Sequence, residues 1–203
     1  MTRHAVDVRL YALYGKKGSG KSTLAVSIGI QESMNADYAP IYSNMKLNIP
    51  GFQTFQVSKV SALIAECTND PCTCIPRVII ADEFDKSFTS RIGWVNKEHE
   101  QELTALVSNI RKHRAIAFIA TSQLRKKIKN DYRHNCDYVI EPIGTVDGAD
   151  CPEYFIWSDV DLYEESGRGR YNNAELLSSQ LPLPFLNNCF DTRQTIMLEW
   201  DAK

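Results

Sequence analysis

The residues with the clearest chemistry are Gly15-Lys16-Lys17-Gly18-Ser19-Gly20-Lys21-Ser22. The pattern G-x-x-x-x-G-K-S builds a cradle for phosphate. Its glycines let successive backbone N–H groups turn inward around an anion. A helix starting at Lys21 adds the positive end of its dipole. In such a cradle Lys21 reaches the β- and γ-phosphates of a nucleoside triphosphate, and the Ser22 hydroxyl ligates Mg²⁺. The expected binding set for ATP is therefore Gly15, Lys16, Lys17, Gly18, Ser19, Gly20, Lys21, Ser22 and Thr23. Lys16 and Lys17 raise the positive potential near the nucleotide or near DNA.

A second cluster lies at Val78-Ile79-Ile80-Ala81-Asp82-Glu83. An apolar run ending in two carboxylates reads as a buried parallel strand with acids at its C-terminal edge. Asp82 is expected to hold Mg²⁺ together with Ser22, and Glu83 to orient or deprotonate the attacking water. Neighbouring side chains on a strand point to opposite faces, but at a frayed end both can approach the γ-phosphate. A third element, Ala115 to Gln123, is another apolar strand with a polar tip. Gln123 at that tip either senses the γ-phosphate or caps the strand. Arg111, Lys112 and Arg114 precede it, and Arg125, Lys126, Lys127, Lys129 and Arg133 follow, with Asp131 the one acid in 124–134. A basic run of this kind is either a solvated face or a contact for the phosphate backbone of DNA, without base specificity.

The elements that must position these groups follow from local pattern. Residues 8–14 predict the strand before the loop and 21–34 the helix after it. Tyr38 to Ser43 predicts a second strand, with Pro40 near its start. Residues 48–52 form a turn, 58–66 a short helix capped by Ser58, and 67–76 a surface loop. Residues 97–112 predict a helix whose buried face carries Leu103, Leu106, Val107 and Ile110. Cys136 to Pro142 predicts the last parallel strand. Beyond it, Gly144 to Gly148 reads as a turn and Tyr154 to Ser158 as an antiparallel strand. Pro182, Pro184, Asn187 and Asn188 make the next segment read as loop. The chain thus divides into an α/β core, 1–142, and a C-terminal hairpin and tail, 143–203, packed on the same domain.

The 203 residues suit one such domain with an appendage. Hydrophobic content of 43%, charged content of 24% and a net charge of −2 are those of a globular protein without a global nucleic-acid footprint. Any DNA contact must come from a local patch. No apolar run reaches bilayer-spanning length, and the first residues lack the apolar core of a signal peptide, so a cytoplasmic location is expected. Of six cysteines, Cys67, Cys72 and Cys74 sit close together. They lack a second Cys-x-x-Cys half or a nearby histidine, so free thiols are favoured over zinc or a disulfide.

The order of these pieces resembles the HerA–FtsK superfamily of DNA-pumping ATPases. Within it, the chain is similar to viral genome-packaging ATPases and to zonula occludens toxin-like morphogenesis proteins of filamentous phages. The resemblance rests on Gly15–Ser22, on Ile41-Tyr42-Ser43-Asn44, on Val78–Glu83 followed by Arg91, and on Arg111-Lys112-His113-Arg114 leading into the strand that ends Thr121-Ser122-Gln123. The late Phe190-Asp191-Thr192 also resembles an element of packaging ATPases. It implies a RecA-like P-loop NTPase of the ASCE type, with a mostly parallel central sheet and helices on both faces. The Gln123 strand would separate the Asp-Glu strand from the phosphate-loop strand. It further implies a homo-oligomeric ring with nucleotide at subunit interfaces and an arginine supplied by the neighbour. Arg111 and Arg114 are the first candidates for that arginine, with Arg91 behind them. The partners implied are double-stranded DNA, met through Arg125–Arg133, and a capsid, portal or membrane protein. The site set then reads Lys21, Glu83, Gln123, Arg111 and Arg114 for catalysis, with Ser22 and Asp82 for Mg²⁺. The toxin-like group carries a membrane segment that this sequence lacks, which favours a packaging motor in the host cytoplasm or on the virion over an extrusion factor. Two other readings share the loop. Lys16 resembles the early lysine of dimeric partitioning switches, and a small-molecule kinase would use the same cradle.

Overall fold

Strand β1 (Arg9–Tyr14) shows why this chain builds a buried sheet. Leu10, Ala12 and Tyr14 face one side and Tyr11 and Leu13 the other, and all five are buried. A strand apolar on both faces belongs inside a parallel sheet covered twice. The computed structural model describes residues 8–58, 76–84, 115–123, 135–144, 150–158, 163, 171 and 173–191. After β1 come α1 (Lys21–Asn35), β2 (Ile41–Ser43), β3 (Thr54–Gln56), β4 (Arg77–Ala81) and β5 (Ala115–Ser122). Then follow β6 (Tyr138–Gly144), β7 (Glu153–Trp157), β8 (Glu175–Ser178) and a short α2 (Leu183–Asn188).

These strands form one eight-stranded sheet in the order β3-β2-β4-β5-β1-β6-β7-β8. Pairing is parallel from β3 through β6 and antiparallel for β7 and β8. The fold is the α/β, mostly parallel arrangement of a P-loop NTPase. The strand carrying Gln123, β5, lies between β1 and β4, as the resemblance implied. The antiparallel strand expected around Tyr154 is β7, and it extends this same sheet.

Helix α1 packs Leu24, Val26, Ile28 and Ile30 against one face, with Tyr11, Leu13, Ile80 and Ile119 beneath. Its last turn is tied to β1 by a buried carboxylate. Glu32 accepts from Arg9 Nη1 at 2.9 Å and from the Tyr11 hydroxyl at 2.6 Å. Burial first, and then the bond to Glu32, holds the Tyr11 phenol far above its ordinary pKa. Helix α2 lies on the same face as α1, through the fully buried Leu186. The opposite face gathers Leu10, Ile79, Phe118, Val139 and Trp157. The helices expected at 58–66 and 97–112 lie, Ser58 apart, outside the described residues. So do Cys67, Cys72 and Cys74; Cys136, Cys151 and Cys189 are free thiols.

Two expectations about elements are corrected, and two strands appear where none was assigned. The second strand begins at Ile41, not Tyr38, because Asp37 and Tyr38 take positive φ values of 53° and 60°. Residues 54–56 form β3, a short edge strand with a mostly exposed pattern that carries no apolar alternation. Residues 175–178 form β8, antiparallel to β7 and likewise mostly exposed, with Leu176 55% exposed. The segment after Pro182 is helix, not loop, since proline is favourable in the first helical turn, where the missing N–H is no loss. There Asn188 turns its side-chain amide back to Pro184 O at 2.9 Å.

Candidate active site

The phosphate loop joins β1 to α1 and gives that helix an open N-terminus. Gly20 is the N-cap, in the left-handed region at φ 85°, with no side-chain cap and no acid in the first turn. The first amides of α1 therefore have no capping side chain and point where an anion would sit. Gly15 is needed for a different reason. A Cβ there would stand 2.5 Å from Ser19 Oγ. Lys21 is buried and donates from Nζ to Lys16 O at 2.9 Å, which folds its amine over the loop.

Strand β4 stops at Ala81, and Asp82, Glu83 and Phe84 form a turn. Glu83 adopts φ 49°, a costly conformation for a side chain other than glycine. That twist resolves the problem of adjacent carboxylates on a strand, because Asp82 and Glu83 now face one cleft. The turn is held from both flanks. From β2's end, Asn44 donates its Nδ2 to Asp82 O at 2.7 Å and accepts Asp82 N–H at 2.8 Å. From β5, Thr121 donates its hydroxyl to Asp82 Oδ1 at 2.6 Å and accepts Glu83 N–H at 2.9 Å. Thr121 O also accepts Phe84 N–H at 2.9 Å. A costly backbone conformation persists only where its surroundings over-determine it, and here they do.

The loop and the turn meet at Ser22, whose hydroxyl lies 2.9 Å from both Asp82 oxygens. Asp82 is only 3% exposed. Burial pushes its carboxyl above the usual Asp range, hydrogen bonds from Thr121 and Ser22 oppose this, the Glu83 charge adds to it, and the Lys21 charge opposes it. A buried carboxylate beside a serine hydroxyl suits a small divalent cation, whose charge would reverse that penalty. Among the described residues no three His, Cys, Asp or Glu side chains converge as ligands. A cation here would be held by Ser22, Asp82, phosphate oxygens and water, which is how Mg²⁺ is bound beside polyphosphates. Ser19 Oγ is buried and has no hydrogen-bond partner among the described residues, so the loop keeps a polar group for a ligand.

The cleft has a volume of about 350 Å³. The loop and α1 contribute Lys17, Gly18, Gly20, Lys21, Ser22 and Thr23 to it. The sheet edge contributes Asp82, Glu83 and Gln123, and Gln123 Nε2 donates to Glu83 Oε1 at 3.3 Å. Of the paired lysines, Lys17 lines the cleft, while Lys16 offers its carbonyl to Lys21. Phe190 and Asp191 complete the lining. Their stretch stood out in the sequence only as a resemblance and was given no role. Asn44 and Thr121 also went unassigned, because a side chain that grips a backbone has no pattern of its own. Arg91, Arg111, Arg114 and the basic segment Arg125–Arg133 lie outside the described residues.

An α/β sheet with this cleft at its C-terminal edge can bind a triphosphate, hold a cation and present a carboxylate to water. The fold is shared with solved structures. The N-terminal domain of zonular occludens toxin from Neisseria meningitidis aligns with a TM-score of 0.60 at 13% identity, over 91% of this chain and 100% of that one. B204, the DNA-packaging ATPase from Sulfolobus Turreted Icosahedral Virus, aligns with a TM-score of 0.50 at 12% identity, over 87% and 98%. At such identities the likeness is one of fold. No curated protein matches the chain by sequence. Among the described residues no helix is long and apolar enough to cross a membrane. Residues 11–142, well over half of the sequence, match a family profile, and the chain belongs to the ATPase family associated with various cellular activities (AAA) and is an ATPase.

Proposed function

We propose that this ATPase is a ring-forming motor of the HerA–FtsK type that drives double-stranded DNA into a viral capsid. The observation that carries the reading is the joint between β5 and the acid turn. Thr121 near the end of β5 and Gln123 just past it reach Asp82 and Glu83 respectively, so a change at the γ-phosphate is passed to β5. In the sequence, β5 is followed by Arg125, Lys126, Lys127, Lys129 and Arg133, the residues we assign to the DNA backbone. The fold shared with a DNA-packaging ATPase supports the same assignment.

In this account Lys21 and the backbone of residues 15–23 bind the triphosphate. Ser22 and Asp82 hold Mg²⁺, which neutralises charge on the phosphates. Glu83 takes a proton from the attacking water while Gln123 keeps its carboxylate aimed. Arg111 or Arg114 of a neighbouring subunit stabilises the transition state, which ties turnover to assembly. Residues 1–142 are the motor core and 143–203 an appendage on it, with a capsid or portal protein as the docking partner in the host cytoplasm or virion. The test is displacement of a triplex-forming strand from a linear duplex. ATP should drive displacement by the intact chain and not by Lys21→Ala. ATP hydrolysis with no displacement on any duplex would refute translocation.

A further inference from the structure

After β8 the chain runs against α1. Ser179 is buried there, its Oγ 2.5 Å from that of Ser27, and its N–H donates to Pro152 O at 2.7 Å. Helix α2 then rests on α1 through Leu186. Past α2 the chain is fastened to the β2–β3 connection. Asn48 N–H donates to Cys189 O at 2.7 Å, and Leu47 forms an antiparallel bridge with Phe190. Cys189 and Phe190 are buried in the core. Residues 179–191 are thus a strap over α1, and its fixed end delivers Asp191 to the cleft that Lys17, Lys21 and Thr23 line.

A carboxylate in the wall of a phosphate cleft repels bare polyphosphate, as Asp82 and Glu83 of the same lining also do. It becomes favourable if a cation stands between the two, or if sugar hydroxyls donate to it. Ser22 and Asp82 open on the same cleft and fit Mg²⁺. Mg²⁺ keeps several of its waters, and these are strong donors to a nearby carboxylate. Asp191 lines the same cleft as Ser22 and Asp82 and is exposed, which suits it to accept from that water shell.

We propose that Asp191 is a binding residue that reads the metal: it holds the Mg²⁺–nucleotide complex through the waters of the cation and rejects metal-free nucleotide. The inference rests on the proposed Mg²⁺ site at Ser22 and Asp82. The sign of its effect is distinctive. Removing the charge weakens binding when Mg²⁺ is present and strengthens it when Mg²⁺ is absent. A contact with the sugar would weaken binding in both conditions.

The experiment is calorimetric titration of the full chain with a non-hydrolysable ATP analogue, in excess Mg²⁺ and in chelator. Asp191 is exposed, so Asp191→Asn and Asp191→Ala should both fold. The expected result is about a tenfold loss of affinity with Mg²⁺, the scale of one charge-assisted hydrogen bond, and equal or tighter binding without it. Equal weakening in both conditions, or no change in either, overturns the inference. Wild-type affinity that ignores Mg²⁺ altogether would instead overturn the cation site at Ser22 and Asp82, and the inference with it.

Discussion

Thr121→Val is the sharpest perturbation of the acid turn. The change is close to isosteric and leaves the buried backbone of β5 intact. It removes one hydroxyl that serves two partners, donating to Asp82 Oδ1 at 2.6 Å and accepting Glu83 N–H at 2.9 Å. A hydrogen bond to a charged group contributes about 1.5–3 kcal/mol and a neutral one about 1 kcal/mol. The two together set an upper scale of about 2.5–4 kcal/mol, since Ser22 still donates to Asp82. With that donor gone, the desolvated Asp82 carboxyl rises further above its ordinary pKa, so less of it is ionised for a cation. Urea unfolding without nucleotide should show an unfolding free energy lowered by up to that scale, and ATP turnover should fall at least tenfold. Thr121→Ser keeps the hydroxyl and should recover most of both. The reasoning fails if Thr121→Val matches the wild type, or if Thr121→Ser is as damaged as Thr121→Val.

Further outcomes follow from other contacts. Glu83→Gln should bind ATP normally and lose about 10²–10⁴-fold in turnover, the range of a general base, and wild-type turnover in a quench-flow or steady-state assay would remove Glu83 from that role. Gly15→Ala places a Cβ 2.5 Å from Ser19 Oγ, which must rotate away from its place in the cradle, so nucleotide affinity measured by titration should drop about two- to tenfold, the scale of one neutral hydrogen bond, while the unfolding midpoint changes little. Glu32→Ala removes the acceptor that Glu32 offers the buried Tyr11 hydroxyl and should lower stability by about 1–3 kcal/mol in denaturant titration, with ATP affinity preserved because Glu32 lies in the last turn of α1, at the end opposite the phosphate loop.

The phosphate loop was legible because its chemistry is written in consecutive residues. Gly20 needs its left-handed φ, a Cβ at Gly15 would crowd Ser19 Oγ, and Lys21 and Ser22 follow at once. The run Val78 to Ala81 was legible as a buried strand because both of its faces are apolar. Its end was not, since nothing in Asp82-Glu83 announces that Glu83 adopts φ 49°. The residues that impose this are remote: Asn44 lies 38 positions before the turn's first residue, and Thr121 lies 39 after it. Their roles depend on which backbone group each side chain meets, and only the sheet order brings those groups together. The strap was missed for a related reason. Pro182 and Pro184 break most helices, but at a helix start they fit, and β8 shows an exposed pattern because one of its faces is solvated. Asp191 stood out only within the Phe190-Asp191-Thr192 resemblance, and its place in the cleft follows from the Asn48–Cys189 hydrogen bond and the bridge between Leu47 and Phe190.

The central claim is that ATP hydrolysis in this cleft is coupled to duplex DNA in an assembled ring. Steady-state ATP hydrolysis with and without long double-stranded DNA, with particle mass followed by light scattering in the same samples, tests it most directly. The account predicts turnover stimulated several-fold by DNA, from particles of ring size, with the stimulation lost at high salt as phosphate contacts are screened. An ATP-induced dimer whose turnover is the same with and without DNA would contradict it.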